Sequence, residues 1–162
     1  MKKPVLIVLA VYFALMLAFC SYTILLHYDT LQNGEDYKFS VIPRDPYDPF
    51  LGRYVELRTE NRVPYSFDGS VFYALLSKNS LGFAEVSEFT KEKPQSGAYA
   101  KNLRLERYYM NEKMAPEAEK VTMNPDKYDS MYVLVKVKNG NYVIEGLYVD
   151  DVPIEDFIAS RL

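Results

Sequence analysis

The side chains best spaced to do chemistry lie between Pro43 and Leu57, in the stretch PRDPYDPFLGRYVEL. Two Asp-Pro steps, Asp45-Pro46 and Asp48-Pro49, precede Gly52, Arg53 and Tyr54 at the head of a strand-like run. Carboxylates this close in sequence cap turn amides, while proline fixes φ and Gly52 permits a conformation that other residues resist. The same pair offers a divalent cation two ligands, or another protein a docking surface. Two carboxylates fall short of the spaced oxygen series of an EF-hand loop, so turn chemistry accounts for them better. A second acidic group, Asp150, Asp151, Glu155 and Asp156, follows Tyr148 at the expected start of a closing helix. Carboxylates there complement the positive helix end; binding of a cation or a basic partner is the alternative.

Composition removes most other chemistries. One histidine (His27) and one cysteine (Cys20) exclude a zinc site, a Cys/His dyad, a Ser/His/Asp triad and an internal disulfide. No metal and no cofactor is expected. All 22 acidic residues lie beyond Tyr28, against 17 of the 19 basic ones, which excludes a generally basic nucleic-acid binder. A membrane-anchored Ser/Lys hydrolase survives this filter, since it needs neither His nor Cys. Yet Ser40, Ser66, Ser70 and Ser77 carry no nucleophile motif, and Lys78 beside Ser77 would project from the opposite face of a strand. The sequence therefore leans away from an enzyme. Tyrosine is abundant and Trp absent, which favours packing on pleated surfaces over a sugar-stacking platform.

The first element that must position these groups is a membrane anchor. Pro4 to Leu26 gives 23 positions without a charge, about 35 Å of helix against a hydrocarbon core of about 30 Å. Lys2 and Lys3 precede the run and Asp29, Glu35 and Asp36 follow it. The positive-inside rule then predicts a cytoplasmic N-terminus and an extracytoplasmic remainder. A cleaved signal peptide is the rival reading, but the apolar run is longer than such segments need and no small-x-small site closes it. Residues 1–28 are thus expected as the anchor, in contact with the lipid bilayer through 4–26, with 29–36 as a polar spacer and 37–162 as the outer domain.

Beyond the spacer the dominant period is two. Tyr37–Ile42, Tyr54–Glu60, Ser70–Ser77, Ala84–Phe89 and Tyr99–Tyr109 read as strands, with Ser70–Ser77 apolar on both faces as a central strand would be. Met131–Lys138 and Tyr142–Val149 flank Asn139-Gly140, a type I′ hairpin signal. Pro116–Lys120 reads as a short helix and Pro153–Leu162 as a closing one, with Arg161 in its last turn. The expected fold is mostly β (α+β): a transmembrane helix, then a small antiparallel sandwich or partly open barrel with one or two short helices.

Three segments resemble a family of bacterial membrane-anchored proteins named after a GDYxxxLxY motif. They are Asp48–Arg58 (DPFLGRYVELR), Arg107–Glu112 (RYYMNE) and Gly146–Pro153 (GLYVDDVP), in the family's order behind the same kind of anchor. Against that name, Arg53 stands where the motif has Asp, Thr59 stands near the last Tyr, and only two residues separate Tyr54 from Leu57. The resemblance implies one extracytoplasmic domain serving as companion to a polytopic membrane protein, and it brings no catalytic residues. The expected binding surface joins Asp45, Asp48, Gly52, Arg53 and Tyr54 to Tyr148, Asp150 and Asp151.

Overall fold

The computed structural model describes residues 3–42, 54–56, 58–59, 63–67, 69–105, 107–111, 113–122 and 127–161. Helix α1 (Lys3–Asn33) is apolar on every side through its first six turns, and its large side chains from Val5 to Leu25 are mostly at least half exposed. A helix without a polar face buries nothing in water, and this one is long and apolar enough to cross a membrane, as a signal anchor or a signal peptide would be.

The helix does not stop where its apolar run stops. The stretch expected as a spacer, 29–36, instead forms its last turns and the first residues of strand β1 (Glu35–Ile42). Local polar bonds carry the helix onward: Thr30 Oγ1 donates to the Leu26 carbonyl at 2.8 Å, and Asn33 Nδ2 to Asp29 Oδ1 at 2.8 Å. Gly34 ends it, its N–H donating to the Thr30 carbonyl. A Cβ at Gly34 would collide with that carbonyl and lie 3.0 Å from both Lys136 Cβ and Val137 N, so only glycine fits the bend.

Among the described residues, nine further strands follow: β2 (Tyr54–Glu56), β3 (Arg58–Thr59), β4 (Tyr73–Lys78), β5 (Ala84–Thr90), β6 (Ala98–Lys101), β7 (Arg107–Tyr109), β8 (Met131–Lys138), β9 (Asn141–Val149) and β10 (Val152–Pro153). They form a five-stranded sheet in the order β10-β9-β8-β1-β3, a three-stranded sheet β5-β4-β6 and a ribbon β2-β7, with every strand pair antiparallel. Strand β4 is central, as its two apolar faces require. Two isolated parallel bridges, Lys38 to Phe83 and Ala100 to Gly140, tie the three-stranded sheet to the larger one.

Both sheets bury one face in a common core, which makes the domain a mixed α+β sandwich. Phe39, Val133, Val135, Leu147 and Val149 come from the large sheet, and Ala74, Leu76 and Ala100 from the small one. Helices α2 (Ala115–Thr122) and α3 (Ile154–Ala159) close the core with Ala118, Val121, Ile154 and Ile158. Fully burying an aliphatic side chain of this size contributes about 2 kcal/mol.

Two other expectations shift. Tyr99–Tyr109 is not one strand: Asn102, at φ 53°, breaks it into β6 and β7. Its N–H donates to the Phe72 carbonyl and its Oδ1 accepts from the Phe72 N–H, so a side-chain turn replaces the ladder. Leu103 and Leu105 stay buried all the same. Helix α3 ends at Ala159, so Arg161 lies beyond its last turn, its guanidinium 4.0 Å from the Phe157 ring centre.

Candidate functional site

Asn139 and Gly140 both adopt positive φ (51° and 84°), the geometry of a type I′ turn, and this sets the register of the β8–β9 hairpin. That register holds from Lys138 opposite Asn141 to Val135 opposite Ile144; a β-bulge then shifts the pairing by one residue at Leu134, and this shift puts Tyr132 on β8 opposite Tyr148 on β9. On the outer face their rings stack, with centroids 5.3 Å apart and planes 4° from parallel. Phe83 meets the Tyr132 ring edge-on at 6.0 Å. Strand β1, on the other side of β8, brings Lys38 to the same patch, its Nζ 4.5 Å from the Tyr132 centroid.

The turn after β9 completes the cluster. Asp150 and Asp151 both have positive φ (51° and 61°), so β9 reverses into β10 through a two-residue turn. They are not helix-start residues: Pro153 caps α3, and Glu155 and Asp156 fill its first turn. Asp150 locks its end of the sheet to the residue before β8, since its N–H donates to the Ser130 carbonyl and its Oδ1 accepts from the Ser130 N–H, both at 3.0 Å. Asp151 Oδ1 accepts from the Tyr132 hydroxyl at 2.6 Å and from Lys38 Nζ at 3.1 Å.

The charges follow from this geometry. The Tyr132 hydroxyl, and then Lys38, hold the Asp151 carboxyl below its ordinary value. Asp151 raises Lys38 in turn, while burial raises Tyr132 and Tyr148. Donors and acceptors satisfy one another: Tyr132 is buried to 4% exposure beneath its neighbours, and the Lys38 and Asp151 side chains, 41% and 74% exposed, form the part of the cluster that faces solvent. Beside it, Lys136 pairs with Asp36 and lies 3.4 Å from Glu145.

Of the residues expected to bind, the fold thus joins Tyr148 and Asp151 through Tyr132 and Lys38, with Asp150 bracing the turn. Tyr54 belongs to a different element, paired with Tyr109 in the β2–β7 ribbon. Asp45, Asp48, Gly52 and Arg53 lie outside the described residues. Lys38 is invisible in sequence as a site residue, because 113 positions separate it from Asp151. Alternation places it on the outer face, but nothing local names its partner. Ser77 and Lys78 each have other partners: Ser77 Oγ donates to the Glu85 carbonyl at 3.4 Å, and Lys78 Nζ to Glu35 Oε1 at 2.6 Å. Among the described residues, no three His, Cys, Asp or Glu side chains group to hold a metal ion. A separate cavity of about 200 Å³ between α2 and α3 shares no residue with the cluster; Glu117, Lys120, Tyr128 and Arg161 help line it.

Comparison with known proteins adds one match. A family model described as GDYXXLXY protein fits residues 16–147, from near the middle of α1 into β9, so the joint between helix and domain falls inside the match. The name spells a motif with two positions between Tyr and Leu. Gly52, Tyr54 and Leu57 therefore stand in register with it, contrary to the three-residue spacing expected above, and Arg53 and Thr59 are the departures. No curated protein and no solved structure matches the chain.

Proposed function

The chain belongs to the GDYXXLXY family, and from that premise we propose that it is a single-pass membrane protein serving as an accessory subunit. Residues 1–28 anchor it, and 37–162 form a non-catalytic interaction module held outside the cytoplasm beside a polytopic membrane partner. The observation that carries this reading is the joint between α1 and the sheet. Lys138 Nζ donates to both carboxylate oxygens of Asp29, at 2.7 and 2.8 Å, and Thr30 is buried to 1% exposure. A helix locked into its domain in this way fits a retained anchor, because cleavage would strip the large sheet of the helix that covers part of it. The outer cluster of Lys38, Tyr132, Tyr148 and Asp151 would then be presented at a fixed angle to the bilayer.

Within α1, Ala10, Ala14 and Ala18 recur at four-residue spacing. Small residues so spaced let another helix backbone approach closely in lipid, where packing rather than the hydrophobic effect drives association. The test is to tag the C-terminus, crosslink native membranes, solubilise them gently and identify what co-purifies. A stoichiometric polytopic protein is expected, with Ala14→Leu reducing its yield severalfold while the domain stays folded. Replacing Asp45 and Asp48 by Ala is expected to lower retention as well; unchanged retention removes that loop from the surface. A chain that purifies alone under these conditions overturns the accessory role.

A further inference from the structure

We infer that the tip of the β8–β9 hairpin, together with the adjoining end of β6, is a contact surface for anionic phospholipid headgroups. The inference rests on the proposed crossing of the bilayer by α1. Two contacts fix how the sheet stands on the helix: Gly34 abuts Lys136 and Val137, and Asp29 binds Lys138. Passing along α1 from Gly34 to Asp29, toward its apolar part, matches passing forward along β8 from Lys136 to Lys138. Strand β8 therefore runs toward the membrane end of the helix, and the turn at Asn139, Gly140 and Asn141 lies farther in that direction. Asp29 is only three residues past Leu26, about 4.5 Å along the axis, which sets the tip at headgroup level.

The chemistry of that end suits the location. Lys101 donates its N–H to the Gly140 carbonyl at 2.8 Å, which fastens the end of β6 to the tip. Lys101, Asn102, Asn139 and Asn141 are exposed there, and neither 98–102 nor 137–144 contains a carboxylate. The acidic side chains nearest the helix joint all have lysine partners: Asp29 pairs with Lys138 and Glu35 with Lys78, while Asp36 and Glu145 share Lys136. The acids at the opposite end of β8 and β9, including Asp129, Asp150, Asp151 and Asp156, would face away from the bilayer. Lysines and amides near an anionic surface gain electrostatic attraction within a Debye length, while carboxylates there are repelled.

The test uses the full chain with Cys20→Ser, reconstituted in phosphatidylcholine vesicles containing phosphatidylglycerol. Single cysteines replace Leu15, Tyr28, Asn141 or Asp156 and carry an environment-sensitive fluorophore, quenched by lipids spin-labelled in the headgroup or the acyl chain. The Asn141 label is expected to lose at least half as much emission to headgroup quencher as the Tyr28 label, and severalfold more than the Asp156 label. Lys101→Glu should reduce the Asn141 quenching and leave Leu15 unchanged. If acyl-chain quencher reaches Leu15 but Asn141 is quenched no more than Asp156, the headgroup surface is overturned and the crossing stands. If Leu15 itself escapes quenching, the crossing fails.

Discussion

Replacing Gly140 by Ala tests how firmly the hairpin tip is set. Gly140 holds φ at +84°, where an L side chain costs about 1–2 kcal/mol in backbone strain. A Cβ there would also come within 2.5 Å of Tyr99 Cε2 and 3.3 Å of two further ring atoms. That ring packs edge-on against Tyr73 with centroids 5.9 Å apart, so it cannot swing aside without disturbing β4 and β6. Overpacking of this kind typically costs about 1–3 kcal/mol more. Gly82 supplies the control, since its φ is +80° but a Cβ there would meet nothing within 4 Å, so Gly82→Ala bears the strain alone. In thermal unfolding of the full chain in detergent, Gly140→Ala should lower Tm by about 10 °C, at roughly 3–4 °C per kcal/mol for a domain of this size, and Gly82→Ala by about a third of that. Equal shifts for the two variants would show that Tyr99 yields freely and that packing does not fix the tip.

Lys138→Ala leaves Asp29 without its ion partner at the joint. The domain should stay folded while spin labels on α1 and β9 show a broader distance distribution and proteases cut faster near Asn33; an unchanged distribution would mean that helix packing alone sets the angle. Glu35 is held below the ordinary glutamate value of 4.5, chiefly by its hydrogen bond from Lys78. A depressed carboxyl stabilises the fold above its unfolded value and loses that contribution as pH falls through the folded one. Acid unfolding below about pH 4.5 should therefore be less steep in Glu35→Gln than in wild type. Burial, and next the Glu35 charge, push the Tyr37 hydroxyl up to about 12. A raised tyrosine stabilises below its unfolded value of 10 and loses the effect as pH rises toward 12, so alkaline titration should find Tyr37→Phe the more resistant protein.

How much of this is legible in the chain depends on whether the cause is local. The β8–β9 hairpin can be read from Asn139-Gly140 because both turn positions need positive φ, and β1 from its strict alternation. Helix α1 can be read to Leu26 from its lack of charge, but not to Asn33. Asp29, Thr30 and Asn33 look like spacer residues until their side-chain bonds within the helix, and the fit of Gly34 against Val137, are seen. Tyr148, Asp150 and Asp151 stand out as neighbours in sequence. What they do together depends on Lys38 and Tyr132, which only the sheet register supplies. Asp150 and Asp151 resemble helix-start residues because Pro153 is so close, yet two successive left-handed residues make them a hairpin turn instead.

The close fit at Gly34 and the Asp29–Lys138 ion pair together hold the helix to the sheet, and that turns the domain into a pointer. Strand β9, nine residues long, spans about 30 Å from the hairpin tip to the Asp150-Asp151 turn. Membrane helices commonly lean by about 20°, and a lean of that size about the tip would carry the far turn sideways by about 10 Å. If α1 crosses the bilayer beside another helix as proposed, a small change in their packing would thus be magnified into a displacement about as wide as a helix at the far end, with Lys38, Tyr132, Tyr148 and Asp151 moving together.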